Sequence, residues 1–272
     1  MPLRGIEIGL PPAIRSRMDV LALKARKMAA GRITHSLPRN TRTMPNNLEH
    51  ITAKLMNPVP VALFDLDYTL LDGDSEAIWS RFLFEQGMVD KGFLQRITDY
   101  YHAYEEGWLD IHEYEAFLLR PLTESPLPKI HELRREYLKQ IRQVVRVKML
   151  RKVRRFRTLG FTLLLITASN SFIAEPIAEM LHFPHLICTQ IKQEAGRFTT
   201  QLEGIPAFRN GKVQRLEQWL IENHSSLENS WGYSDSHNDL PLLNLVEHPV
   251  AVMPDPVLRA YARQHGWKII NA

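Results

Sequence analysis

The stretch VALFDLDYTLLDGDS at 61–75 ends an apolar run with Asp65, then Leu66, then Asp67. Two carboxylates brought that close repel each other and destabilise a fold unless a cation stands between them. Other stretches carry groups that would complete such a site. Thr69 follows the pair, ITASN at 166–170 offers Thr167, Ser169 and Asn170, and RNGK at 209–212 offers Lys212. YSDSHNDLP at 233–241 adds Asp235 and Asp239, four apart across a turn. Carboxylate oxygens suit magnesium, while a lysine and a hydroxyl suit phosphate oxygens, so the set points to a magnesium and phosphoryl site. Structural readings compete at the weaker positions. Thr167 could cap the helix that follows it, and His237 and Asn238 are ordinary turn formers.

These groups converge only if the right elements carry them. From residue 59 onward short apolar runs alternate with helical patterns, which predicts an α/β fold with a Rossmann-like parallel sheet. The strand candidates are 61–66, 162–167, 185–190, 230–235 and 249–253, with helices over about 146–159, 171–181, 211–223, 238–246 and 256–264. The interval 75–145 has helical patterns and no comparable strand, so it reads as a helical cap subdomain inserted after the first strand. The core would then comprise 59–74 and 146–272. In open parallel sheets the loops at the carboxyl ends of the strands meet in one crevice, where every candidate above would lie.

With its order and spacing, FDLDYT resembles the first motif of the haloacid dehalogenase superfamily, LLLIT its second, Lys212 its third and SDSHND its fourth. The resemblance spans about residues 59–272. The helical insertion is similar to the C1-type cap of the phosphoserine phosphatase-like branch. DGDS with its following aromatic residue, ITASNSF and GRFTTQLEG resemble a subgroup that contains bacterial histidinol phosphatases. The resemblance implies a phosphatase acting on a small phosphate ester. Asp65 would be the nucleophile that becomes an aspartyl phosphate, and Asp67 the acid and then the base. Magnesium would be held by the Asp65 carboxylate, the Asp67 carbonyl and Asp235. Lys212 and Thr167 would hold the transferring phosphoryl oxygens, and Asp239 would orient the metal's surroundings or Lys212. Thr69, Ser169 and Asn170 are further candidates for substrate contact.

Substrate choice rests on the cap. In phosphoserine phosphatases an acid meets the substrate amine and a cap arginine meets its carboxylate. Counting from the first motif puts the acid at Asp74. An ungapped alignment puts the arginine position at Leu118, with Arg120 displaced by two residues, about 200° around a helix. This favours an amino phosphate without a carboxylate, such as histidinol phosphate, with Trp79, Tyr104 and Trp108 as candidates for an aromatic wall. Phosphoserine phosphatase and phosphotransferase are the alternatives, since water and an alcohol attack the same intermediate. A non-catalytic regulator is disfavoured by the acids.

The 272 residues are 44% hydrophobic and 24% charged, enough to bury a sizeable core. Residues 1–58 hold ten Lys or Arg against three acids, a net of +7 within a chain total of +4, which leaves −3 for the remainder. This basic stretch reads as an unstructured N-terminal extension, with Met56 a plausible later start just before the first strand, and it could also be a nucleic-acid arm or a targeting peptide. Val147, Leu150, Val153 and Phe156 form a stripe within the basic run 146–157, whose charges then read as a solvated face rather than a nucleic-acid site. Cys188 is the single cysteine and reads as a buried strand residue in a cytoplasmic protein, and no apolar run is long enough for a membrane span.

Overall fold

The computed structural model describes residues 59–271, so the expectations for the basic leader lie outside the described residues. Seven strands form one sheet: β1 Val61–Phe64, β2 Thr162–Asn170, β3 His185–Glu194, β4 Arg197–Glu203, β5 Trp231–Ser234, β6 His248–Val252 and β7 Lys268–Ile270. Their order across the sheet is β4-β3-β2-β1-β5-β6-β7. Every pairing is parallel except β3 with β4. β1 lies at the centre, with Val61 opposite Thr162 and Ala62 opposite Trp231. The fold is thus the expected α/β sheet with a helical insert.

β1 is buried on both faces, and its residues alternate between two cores. Ala62 and Phe64 join the larger one, with Met149, Val153, Phe156, Phe172 and Ile177. Val61 and Leu63 join the smaller one, with Leu164, Ile166, Leu216 and Trp219. Such a strand has no polar face to show, which is why it reads as a continuous apolar run.

Six helices lie between β1 and β2, and the first five form the insert: α1 Ser75–Glu85, α2 Lys91–Glu106, α3 Ile111–Leu118, α4 Arg120–Glu124 and α5 Leu127–Gln143. Asp74, Asp90 and Asp110 cap the first three by accepting from backbone N–H groups in the opening turn. Where the insert leaves and rejoins the sheet, the two chain segments are tied together. Leu71 bridges Val145, and Arg146 donates to the Leu71 carbonyl at 3.0 Å and to Asp72 at 2.7 Å. The insert's apolar faces belong to the larger core: Trp79, Tyr137 and Ile130 pack in one cluster with Phe64 and Phe172.

The remaining helices are α6 Val147–Thr158, α7 Ser171–Met180, α8 Asn210–Glu222, α9 Leu240–Leu243 and α10 Pro256–Gln264. Several expectations need correction. In α6 the buried stripe is Met149, Val153 and Phe156, while Val147 is exposed, because a spacing of three drifts around a 3.6-residue helix. The basic side chains do form the solvated face. The helix expected at 238–246 is a single 3₁₀ turn, His237–Asp239, followed by only four α-helical residues. β4 went unpredicted because it is a half-exposed edge strand with weak alternation. A two-residue turn, Ala195–Gly196, joins it to β3 with φ of 49° and 75°, as type I′ hairpin turns require. β7 is three residues long and leaves little pattern.

Cys188 is buried in β3, and burial pushes its thiol up to about 12. No helix among the described residues is long and apolar enough to cross a membrane.

Gly211 sits in the first turn of α8, one residue before Lys212, and a Cβ there would lie 1.9 Å from the Pro206 carbonyl oxygen. The backbone carbonyl cannot swing aside as a side chain could. Gly211→Ala is therefore expected to cost about 1–3 kcal/mol of stability by overpacking, read as a lower Tm in thermal unfolding.

Candidate active site

The carboxyl ends of β1, β2 and β5, with the first turn of α8, deliver the candidate groups to one pocket under the insert. Asp65, Asp67, Asp74, Thr167, Ser169, Lys212, Asp235 and Asp239 all line it. Asp65 is the first residue past β1, and its backbone N–H donates to the Tyr233 carbonyl at 2.9 Å. Asp235 follows β5 directly. Lys212 donates to Asp65 at 2.8 Å and to Asp239 at 2.8 Å, and Asp239 also accepts from Ser234 at 2.7 Å.

Burial dominates the electrostatics. It pushes the Asp65 carboxyl up to about 7 against the pull of Lys212, with Asp239 and Asp67 adding repulsion. It pushes Asp67 up to about 6, with repulsion from Asp74 opposed by hydrogen bonds from Ser169 and Ser75. Asp235 is raised well above the usual carboxylate range by burial, then by Asp65 and Asp239. Burial alone would lower Lys212, but Asp239 and Asp65 outweigh it and hold the ammonium above its ordinary value. Of the residues that line the pocket, Lys212 is the one cation.

A divalent cation fits this donor set. Asp65, Asp235 and the Asp67 carbonyl offer hard oxygens where negative charge is in excess. Among the described residues no three His, Cys, Asp or Glu side chains converge closely enough to enclose a metal unaided. Two carboxylates and a carbonyl suit magnesium, which keeps several of its own waters.

Asp67 is held from two sides. One oxygen accepts from the Ser75 N–H at 2.6 Å, and the other from the Ser169 hydroxyl at 2.7 Å, with Thr167 Oγ1 at 3.4 Å. Ser169 therefore supports Asp67 as well as lining the pocket. Two candidates for substrate contact lie elsewhere. Thr69 is fully buried outside the pocket lining and donates to Asp235 at 3.2 Å. Asn170 lies behind the pocket, where its amide nitrogen donates to Glu76 at 2.7 Å and Glu115 at 3.1 Å. Its amide oxygen accepts from the Ile173 N–H at 3.3 Å and so caps α7. Asp74 lines the pocket, yet one of its oxygens accepts from the Ala77 N–H at 2.8 Å, so it caps α1 too.

Aromatic rings also line the pocket, though not all of those expected. Tyr104 lines it together with Tyr68, Tyr100, Tyr101, Tyr114 and Phe208. Trp79 is buried against Tyr137 and Phe172, and Trp108 is exposed and donates to Glu106. Leu118 is core, and Arg120 lies exposed over the Phe117 ring, away from the pocket. Tyr104 also shares a hydrogen bond of 3.0 Å with Ser236, which ties α2 to the loop after β5.

The sequence reading missed Glu76 and Glu115. Glu76 follows Ser75 in the first turn of α1, where an acid reads as a complement to the helix dipole. Glu115 sits in the polar run HEYEAF, where nothing distinguishes it from exposed Glu113. Both are buried.

An open parallel sheet that gathers buried carboxylates and one lysine in a covered crevice marks an α/β enzyme built to handle an anionic group. The haloacid dehalogenase-like hydrolase family matches over residues 62–244, more than half of the chain. The chain belongs to that family and is a hydrolase. A histidinol-phosphatase of Neisseria meningitidis is 35% identical over 218 residues, covering 78% of this chain and 98% of the relative. A protein of unknown function from Bordetella pertussis has a solved structure with a TM-score of 0.74 and 37% identity, covering 79% of this chain and 99% of that one. A substrate-bound phosphoserine phosphatase shares the fold at a TM-score of 0.61 and 17% identity, covering 79% and 94%. Fold and relatives are those of the family's phosphatases.

Burial pushes the Glu115 carboxyl from its ordinary 4.5 up to about 8, against the hydrogen bond from Asn170. Between those values the folded chain holds a proton that the unfolded chain has lost, so this group makes stability fall as pH rises across that window. Glu115→Gln removes the dependence. Its Tm is expected to drop less than the wild type's between about pH 5 and pH 8, measured by thermal unfolding at each pH.

Proposed function

We propose that the protein is a magnesium-dependent phosphomonoesterase whose substrate is a small amino-alcohol phosphate, histidinol phosphate foremost. The observation that carries the substrate is the composition of the pocket. Acids and aromatic rings line it, and its one cation, Lys212, is already paired with Asp65 and Asp239. A substrate amine or imidazole finds carboxylates and ring faces there, whereas a substrate carboxylate finds no arginine. The histidinol-phosphatase relative supports the same choice.

The residues account for the chemistry as follows. Asp65 attacks phosphorus and the ester oxygen departs, which gives an aspartyl phosphate that water then opens. Asp67 donates a proton to the departing alkoxide and takes one from the attacking water. Its hydrogen bonds from Ser75 and Ser169 aim its oxygens. Lys212 and Thr167 face the transferring phosphoryl oxygens, and Asp239 holds Lys212 in place. Asp65, the Asp67 carbonyl and Asp235 would hold magnesium, which neutralises charge so that an anionic nucleophile can approach an anionic ester. Thr69 steadies Asp235. Asp74 accepts from Ala77 through one oxygen and would meet a substrate amine through the other.

Phosphate release from the purified protein with magnesium tests the activity, and Asp65→Asn is expected to abolish it while preserving the fold. A charge-assisted bond from a substrate amine to Asp74 contributes about 1.5–3 kcal/mol. An unpaired substrate carboxylate costs at least as much in desolvation. Together they predict a preference in kcat/KM of about a hundredfold or more for histidinol phosphate over phosphoserine. Asp74→Asn is expected to erode that preference and to leave esters without an amine nearly unaffected. Better turnover of phosphoserine would overturn the substrate assignment. Transfer of the phosphoryl group to an added alcohol in preference to water would make the enzyme a phosphotransferase.

A further inference from the structure

At the edge of the pocket, where Glu76 and Tyr114 line it and Asn170 and Glu115 lie beyond the lining, is a buried polar cluster that the chemistry above leaves unused. Glu76 on α1 and Glu115 on α3 both accept from the one amide nitrogen of Asn170, at 2.7 and 3.1 Å. Glu76 also accepts from the Asn170 backbone N–H at 2.8 Å and from the Tyr114 hydroxyl at 3.0 Å. The cap that Asn170 places on Ile173 fixes which end of its amide faces the glutamates. The second Glu115 oxygen is buried and has no donor. The other titratable groups that face the pair are Asp67, Asp74, Tyr137 and Cys188, and none of them is a cation. Two adjacent carboxyl groups in such a place cannot both ionise, and a proton between them supplies the donor that Glu115 lacks.

The position of the cluster in the chain gives it a use. Glu76 adjoins Ser75 and Asn170 adjoins Ser169, and these two serines hold the two oxygens of Asp67. The serine hydroxyls also touch each other at 3.1 Å. Joining Glu76 to Asn170 therefore fixes the spacing of the two residues that aim the Asp67 carboxylate.

We propose that Asn170, Glu76 and Glu115, with one proton shared between the glutamates, form a clamp that positions Asp67 for proton transfer to the leaving group. The proposal rests on the reading of Asp67 as the general acid. The three are positioning residues, since none is placed against the reacting atoms.

The test is the dependence of kcat/KM on the leaving group, because kcat/KM covers the steps up to departure of the alcohol. An alkyl leaving group needs the proton, while p-nitrophenolate departs without one. Full-length Asn170→Ala and Glu115→Ala are compared with wild type on p-nitrophenyl phosphate and on whichever of histidinol phosphate or phosphoserine turns over faster. The alkyl ester is expected to lose about tenfold to a hundredfold, part of the ~10²–10⁴ that a positioned acid contributes. The aryl ester is expected to lose less than about threefold. Glu115→Gln, whose amide N–H stands in for the shared proton, should recover most of what Glu115→Ala loses. Equal losses on both esters, or none on either, would overturn the clamp. If Asn170→Ala does not fold, the two Glu115 variants decide the matter. Asp67→Asn serves as the reference. If it also lacks leaving-group dependence, the acid assignment of Asp67 has failed and the clamp falls with it. If it shows that dependence and the clamp variants do not, the clamp alone is wrong.

Discussion

Lys212 reaches Asp65 and Asp239 from the first turn of a helix whose own dipole opposes a cation there. The two carboxylates overcome that opposition, and in return the lysine makes their burial tolerable. Removing one partner from a buried ion pair typically costs about 3–5 kcal/mol, because the other charge is left uncompensated. Much of the local architecture follows from this one contact. Gly211 must lack a side chain so that α8 can approach the Pro206 carbonyl and present Lys212 at the right height. Ser234 must donate to Asp239 so that the lysine's second partner stays oriented.

The helical insert decides how strongly these charges are felt. It closes over the strand ends, and with less water in the crevice every electrostatic interaction there gains strength. It is fastened on two sides. Arg146 pins the two chain segments at its base through Leu71 and Asp72, and Tyr104 reaches Ser236 on the far side. Its apolar residues share one core with the sheet, so its orientation is set by packing as well as by those hydrogen bonds. The same helices bring Tyr100, Tyr101, Tyr114 and Glu76 to the pocket, while the ends of β1 and β5 supply Asp65, Asp67, Asp235 and Asp239.

Glu76, Glu115 and Asn170 show how the two halves communicate at short range. The last residue of β2, Asn170, is bonded to one residue on each of two insert helices, next to the groups that hold Asp67. A change in the insert therefore reaches the chemical centre through two peptide units.

What the sequence determined by itself was the five-stranded parallel centre of the sheet and the charged groups at its strand tips. A strand buried on both faces can only be a continuous apolar run, and Asp65, Asp67, Lys212, Asp235 and Asp239 stand at positions where parallel topology brings loops together. Local pattern also pointed to helices between the first two strands, because helix periodicity is a short-range signal. Where several contacts compete for one side chain, tertiary structure decided the outcome. Thr69 carries the same hydroxyl as Thr167, and Asn170 is the chain neighbour of Ser169, yet they point to Asp235 and to the insert's glutamates instead of into the pocket. Glu115 reads as a surface acid until α3 is packed, and Trp79 as a pocket wall until Tyr137 and Phe172 enclose it. Periodicity records how often a side chain faces inward. Which partner it meets there depends on residues far away in the chain, and only packing brings those together.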